Sequence, residues 1–323
     1  MTALASDPAS YYLIRFLAGC AEAGFYPGVI YYLTTWFPRK RRATIFAWFI
    51  VAVPLSSAVS GPLSTGLLTM DGIAGLTGWQ WMFAIEGMPA VLIGIVCLMT
   101  LPDRPEEARW LSDGEKTAPR RALDEEATAV TGTGSAISVF ADPRALLLAA
   151  SYFCFLVGIL GGGIWMPQIL KDAGLSIIEI GLVSILPYAA ACAAMLVAAR
   201  QADPSHGYLP LYVGGCVIGA IGFALSVSID VLAMSLLGIT IALAGMNGAR
   251  PALFSIPAQY LTGAAAASAI AFINAAGNLG GFVGPYMMGL LKTQTGSHVA
   301  GLMGLAAMLL LAAATRLCAD GRS

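Results

Sequence analysis

The sequence predicts an all-α integral membrane protein of nine transmembrane helices. Hydrophobic residues make up 58% of the 323-residue chain and charged residues 11%, whereas a soluble domain carries about 25% charged residues. The apolar residues gather into nine segments, at 11–36, 43–69, 79–101, 145–169, 178–199, 209–228, 231–256, 264–291 and 298–317. A run of about 20 apolar residues spans the hydrocarbon of a bilayer. The basic residues then fall mostly on one side. "FPRKRRAT" carries Arg39, Lys40, Arg41 and Arg42, and the stretch 102–144 adds six more. Arg200, Arg250, Arg316 and Arg322 share that side if the spans alternate, which leaves Lys171 and Lys292 on the other. Positive residues stay cytoplasmic, so the expected orientation puts the C-terminus inside and the N-terminus outside.

The segments divide three and six around a polar stretch. Residues 1–101 read as a partial N-terminal bundle, 102–144 as a cytoplasmic linker and 145–323 as a C-terminal six-helix bundle. The six cysteines (Cys20, Cys97, Cys154, Cys192, Cys216 and Cys318) form no C-x-x-C, and His206 and His298 stand apart. The cysteines read as small apolar packing residues rather than disulfides or metal ligands, and the separated histidines offer no metal site. No metal and no cofactor is expected. The first residues lack a basic region followed by an apolar run and a cleavage site, so no secretory signal is expected there.

Two stretches repeat. "GPLSTGLL" from Gly61 and "GPYMMGLL" from Gly284 are identical at five of eight positions, at an offset of 223. "GFYPGVIYYLTTWF" from Gly24 matches "GARPALFSIPAQYL" from Gly248 in pattern at an offset of 224, with Trp36 against Tyr260. A duplication pairs the first three spans with the last three and leaves the middle three without partners. Their partners would precede Met1, with "MTALASDPAS" as the tail of a lost span. The expectation is that about 100 residues, three spans at about 20 each plus loops, are missing.

Parallel six-span repeats, a basic loop and a charged central linker resemble the major facilitator superfamily. The likeness is narrower for "RFLAGCAEAGFYPGVIYYLTTWFP", "GWQWMFAIEGMPAVLIGIVCLMTLPDRPEEARWL", "GIWMPQILKDAGLS" and "INAAGNLGGFVGPYMMGLLKTQTGS". These resemble the anion:cation symporter branch, whose members carry organic carboxylates in bacteria and fungi. The resemblance implies spans four to twelve of a 6+6 duplicated fold. It implies a monomeric permease in the bacterial inner membrane, with a small organic anion and a proton as partners. One motif departs: where the superfamily carries G-x-x-x-D-R-x-G-R-R, this chain reads "ARQADPSHGYLP", keeping Asp203 and Gly207 without the basic partners.

Arg15 and Glu22 interrupt the first apolar segment. Seven residues make nearly two helical turns, so they share a face, with Gly19 between them and Tyr26 continuing the stripe. A charge at mid-bilayer costs at least ~2.5 kcal/mol and usually marks a pathway or proton relay. A packing ion pair between helices is the other reading. A nearby Arg favours an ionised carboxylate and desolvation favours a protonated one, so a balanced glutamate can exchange protons. Protonation would release Arg15 and leave the surroundings more positive, which favours an anion. The resemblance implies the same roles, Glu22 as coupling carboxylate and Arg15 as its partner.

Asn274 and Asn278, one turn apart, are candidate substrate contacts or helix–helix hydrogen bonds. Ser255, between Pro251 and Pro257, sits where a kink could turn polar groups to a cavity. Trp165 and Gln168 in "GIWMPQ" and Tyr188 resemble cavity-facing positions, although a Trp near the interface is commonly a belt residue. Glu86 in "FAIEGMP" reads as a structural pair, and the Gly-Pro pairs as hinge or packing elements.

H-E-x-x-H, G-x-S-x-G and a phosphate-binding glycine loop are all missing, so an enzyme is not expected. Nor does the Arg39–Arg42 cluster read as a nucleic-acid site. The alternative to a working permease is a truncated, non-transporting remnant.

Overall fold

The computed structural model describes residues 2–5, 7–37, 39–112, 142–201, 208–229, 231–255 and 263–321. Most of the 102–144 linker, the loop with Asp203 and Gly207, and Pro257 and Tyr260 lie outside the described residues. So do the side chains of Tyr26, Arg39 to Arg42 and Ser255.

The described regular structure is helical: α1 (Pro8–Glu22), α2 (Phe25–Trp36), α3 (Arg39–Leu68), α4 (Gly78–Thr100), α5 (Pro143–Asp172), α6 (Ile177–Val183), α7 (Ile185–Gln201), α8 (Leu209–Ser226), α9 (Leu232–Ser255), α10 (Gly263–Thr295) and α11 (Val299–Asp320), with short 3-10 turns. Seven described stretches are long and apolar enough to cross a membrane: Trp48–Leu68, Gly78–Thr100, Pro143–Asp172, Ile177–Arg200, Leu209–Ser226, Leu232–Ala252 and Val299–Asp320. The expected span at 11–36 carries two successive helices, α1 and α2, of 15 and 12 residues. Ala23 and Gly24 between them keep right-handed helical dihedrals, φ −57°, ψ −33° and φ −82°, ψ −15°. At 1.5 Å per residue, crossing about 30 Å of hydrocarbon takes the two in succession.

The chain forms two compact units: residues 1–49 with 62–129, and residues 50–61 with 130–323. In the first unit, α1 starts on a capping box. Asp7 Oδ1 accepts from the Ser10 amide at 2.9 Å, and Ser10 Oγ lies 3.2 Å from the Asp7 amide. A reciprocal cap of this kind satisfies two otherwise orphaned donors. Asp71 Oδ1 accepts from the Gly78 amide at 2.9 Å and the Trp81 indole donates to the Ile73 carbonyl at 3.0 Å, which closes the turn into α4. After α4 the chain folds back on α2. The Tyr32 hydroxyl donates to the Pro102 carbonyl at 3.2 Å, and Trp110 stacks on Trp36 at 6.2 Å between ring centroids. No residue of the α4 apolar window is buried, and Leu98 is 90% exposed. So large an apolar surface would drive a water-soluble protein to associate; in a bilayer it faces lipid.

The second unit holds the core. Phe155, Tyr212, Phe223, Met246, Met288, Leu305 and Leu309 are fully buried in one cluster. Glycines set the helix spacing. A Cβ on Gly277, Gly280 or Gly284 of α10 would collide with the Tyr152 ring, the Phe153 carbonyl or the Val157 carbonyl of α5. Gly215 and Gly222 of α8 meet the backbones of Gly245 and Ala242 on α9 in the same way. Small residues let membrane helices approach closely where no hydrophobic driving force separates protein from lipid. Both repeated Gly-Pro glycines lie at such contacts: a Cβ on Gly61 would stand 3.2 Å from the Gly181 carbonyl, and Gly284 abuts α5.

Candidate functional site

α1 carries Arg15 seven residues before Glu22, its last residue. Both are exposed. Among the described residues no ion pair joins them; the Arg15 guanidinium lies 5.8 Å from the centre of the Tyr11 ring, one turn back. The physical reason is reach. Partners on one helix meet at three or four residues, while seven residues separate the backbone positions by about 10.5 Å. The expected partnership of Arg15 with Glu22 is thus a shared face and not a direct bond.

The second unit carries four of the candidates on α5 and α10. The Tyr152 hydroxyl donates to Asn274 Oδ1 at 3.3 Å. Gly277 makes this possible, because the ring occupies the place of its missing side chain. Asn278 lies on the exposed side of α10 and makes no hydrogen bond among the described residues. The two amides, one turn apart, therefore have different surroundings.

Trp165 and Gln168 both lie near the C-terminal end of α5. The Trp165 indole donates to the Pro285 carbonyl at 3.0 Å, and Gln168 donates to Asp172 at 2.7 Å. Asp172 also takes Lys292 at 2.6 Å and His298 at 2.7 Å, from α10 and the start of α11. The Lys292 ammonium lies 5.6 Å from the centre of the Trp165 ring. These contacts tie three helix ends together and occupy both candidates. Asp172 and Lys292 are about a third exposed, and exposed ion pairs contribute about 0–1 kcal/mol. Asp172→Asn should thus cost at most about 1 kcal/mol. Trp165→Ala, which removes a hydrogen bond and a large packed ring, should cost about 3 kcal/mol. Thermal unfolding of both variants in detergent checks the order. Tyr188, half-buried, sits apart from this cluster and faces Gly163 of α5. Ser255 ends α9.

One polar feature escaped the sequence reading of sites, and a second, the pairing of Glu86, gained its partner only from the structure. Arg250 was counted with the loop charges, yet it lies within α9, half-buried, and donates to Asn247 Oδ1 at 3.5 Å. Its position inside an apolar run was the available signal. Ser64 donates to Glu86 at 2.5 Å and links α3 to α4. Among the described residues no three His, Cys, Asp or Glu side chains gather as a metal site would require.

The family model of the Major Facilitator Superfamily matches residues 1–285 and 163–318. The chain belongs to this superfamily. It is a multi-pass membrane protein of a transporter family and not an enzyme. A provisionally named tartrate transporter of Agrobacterium vitis is 43% identical over 314 residues, covering 97% of this chain and 70% of the relative. A quinolone resistance transporter of Acinetobacter baumannii is 38% identical, covering 95% and 72%. The proton:xylose symporter XylE, solved with 6-bromo-6-deoxy-D-glucose, superposes with a TM-score of 0.63 at 18% identity, covering 88% of this chain and 65% of that one. At that identity the likeness carries the fold alone.

Proposed function

We propose that this major facilitator protein is a secondary active transporter that imports a small organic anion together with protons. The 43% identity to a provisionally named tartrate transporter carries the reading. Arg15 and Glu22, exposed on a helix of a membrane protein, support it, since intramembrane charges mark substrate or proton pathways. In this reading Glu22 couples transport to protons, Arg15 tunes it, and Asn274 and Asn278 are the leading substrate contacts. Trp165, Gln168, Tyr188 and Ser255 are secondary candidates. The chain sits as a monomer in a bacterial inner membrane, C-terminus cytoplasmic, with nine spans in a partial N-terminal bundle, a linker at 102–144 and a six-helix bundle.

The test is uptake of labelled L-tartrate, a sugar acid and an aromatic carboxylate into vesicles carrying the full chain, under an inward proton gradient. Saturable uptake of one acid that stops when the gradient is collapsed is expected. Lack of uptake of all three overturns the reading. The relative named for quinolone resistance favours a second reading, outward transport of a drug. Quinolone flux without carboxylate flux in the same vesicles would select it.

A further inference from the structure

Asp172 joins α10 and α11 to the end of α5 through two contacts of different chemistry. Lys292, near the end of α10, and His298, which opens α11, reach the same carboxylate oxygen, Oδ2, at 2.6 Å and 2.7 Å. Trp165 lies beside both. The Lys292 ammonium is 5.6 Å from its ring centre, and the His298 ring meets it edge-on at 5.8 Å. Gly296, at φ +70°, supplies the left-handed residue in the turn between α10 and α11. Gln168, which is neutral, takes the other oxygen of Asp172 at 2.7 Å. Lys171 is exposed and makes no ion pair among the described residues.

A carboxylate only accepts hydrogen bonds, so Nε2 of His298 carries the proton that it shares with Asp172. In the neutral ring the other nitrogen, Nδ1, is then a bare acceptor. It is buried and has no hydrogen-bond partner among the described residues. A second proton there breaks no existing bond, and it turns the contact with Asp172 into an ion pair. Lys292 and the dipole at the start of α11 oppose the new charge. Only Asp172 is in hydrogen-bond contact with the ring, and Coulomb attraction is strongest at that distance.

The two arms therefore respond differently to acid. A histidine changes its charge between about pH 5 and pH 8, where a lysine stays charged. Further along α11, Leu305 and Leu309 pack against Gly161 and Gly158 of α5, and these apolar contacts carry no charge. Dependence on pH is thus confined to the first turn of α11. We propose that His298 is a proton-operated latch at this end of the six-helix unit. Acidification charges its ring and fastens the first turn of α11 to the end of α5, while Lys292 holds α10 in acid and in base. In the orientation proposed above this end faces outward, so a proton gradient that drives uptake also sets the latch. The latch itself does not depend on that reading.

The experiment is amide hydrogen exchange on the purified full chain in detergent at about pH 5 and pH 8, corrected for the intrinsic effect of pH on exchange. The Leu302 amide donates to the His298 carbonyl at 2.9 Å, so its protection reports the first turn of α11. Protection about threefold to fivefold higher in acid is expected, as for an ion pair at a partly exposed site. The pH response should vanish in His298→Gln and in Asp172→Asn. It should persist in His206→Gln, which removes the other histidine of the sequence. A merely structural role for His298 would lower protection equally at both pH values. Equal protection of the native chain at the two pH values, or a response that survives His298→Gln, overturns the inference. Should His298→Gln fail to fold, NMR of the native chain with labelled histidine rings replaces it, the two signals being assigned with His206→Gln. The His298 signal is expected to move between the two pH values. A stationary signal overturns the latch.

Discussion

Glu22→Gln abolishes proton-driven uptake while leaving the protein folded: this is the expected result for the carboxylate at the end of α1. Glutamine matches glutamate in size and in helix propensity. Glu22 is exposed and makes no ion pair with Arg15 among the described residues, so the substitution removes no packed contact. Surface changes of this kind alter stability by about 0.5 kcal/mol or less. What it removes is the one property an amide lacks, the capacity to take and release a proton. Two assays separate coupling from binding. Uptake down an imposed pH gradient should vanish, while exchange of labelled for unlabelled anion at equal pH should persist. Gradient-driven uptake that survives in the variant rules Glu22 out as the coupling residue. Loss of exchange as well would move Glu22 from coupling to substrate binding.

The second large effect belongs to the glycine seam. Gly280→Val should collapse the six-helix unit, because its Cβ alone overlaps the Phe153 carbonyl and stands 3.1 Å from the Val157 amide. Both are α5 backbone, which cannot turn aside as a side chain could. The helices must part, and the buried contacts of Phe155, Met288 and their neighbours are lost with them. Overpacking usually costs about 1–3 kcal/mol and sometimes more; with backbone on both sides, the upper end or beyond is expected. Gly94→Val is the matched control. It lies in α4, where nothing stands within 4 Å of the added carbon, and it changes only helix propensity, by a few tenths of a kcal/mol. Thermal unfolding in detergent should show a large drop for the first and almost none for the second. Equal melting temperatures would mean that the α5–α10 approach is not what the glycines protect.

Much of the architecture was legible in the residues. Long apolar runs punctuated by charged loops admit little besides membrane helices, because backbone groups in lipid must be bonded within their own segment. The family motifs are local strings, so they survive without coordinates. The Gly-Pro repeats were legible as packing elements for the same reason: glycine recurs where backbones approach. Even so, the hydrogen-bonded helix of the first apolar run is interrupted between α1 and α2 at Ala23 and Gly24, whose dihedrals stay helical, a local feature that hydrophobicity alone does not reveal.

The candidate site was less legible. Arg15, Glu22, Asn274 and Trp165 stand out as polar or aromatic residues in apolar segments, and sequence by itself determined that list. Which of them are already engaged was decided only by the tertiary structure. Trp165 and Gln168 are taken up by Pro285, Asp172 and Lys292, from partners over a hundred positions away or within a local turn. Asn274 is oriented by Tyr152, 122 positions away in sequence, across a glycine whose purpose is visible only from the ring that fills its place. Arg250 looked like one more basic residue near a helix end, and only the folded α9 shows it donating to Asn247. Hydrophobic periodicity reports what each residue prefers as solvent, a local quantity. The direction of a hydrogen bond depends on which helix lies opposite, and only the packing of the helices supplies that.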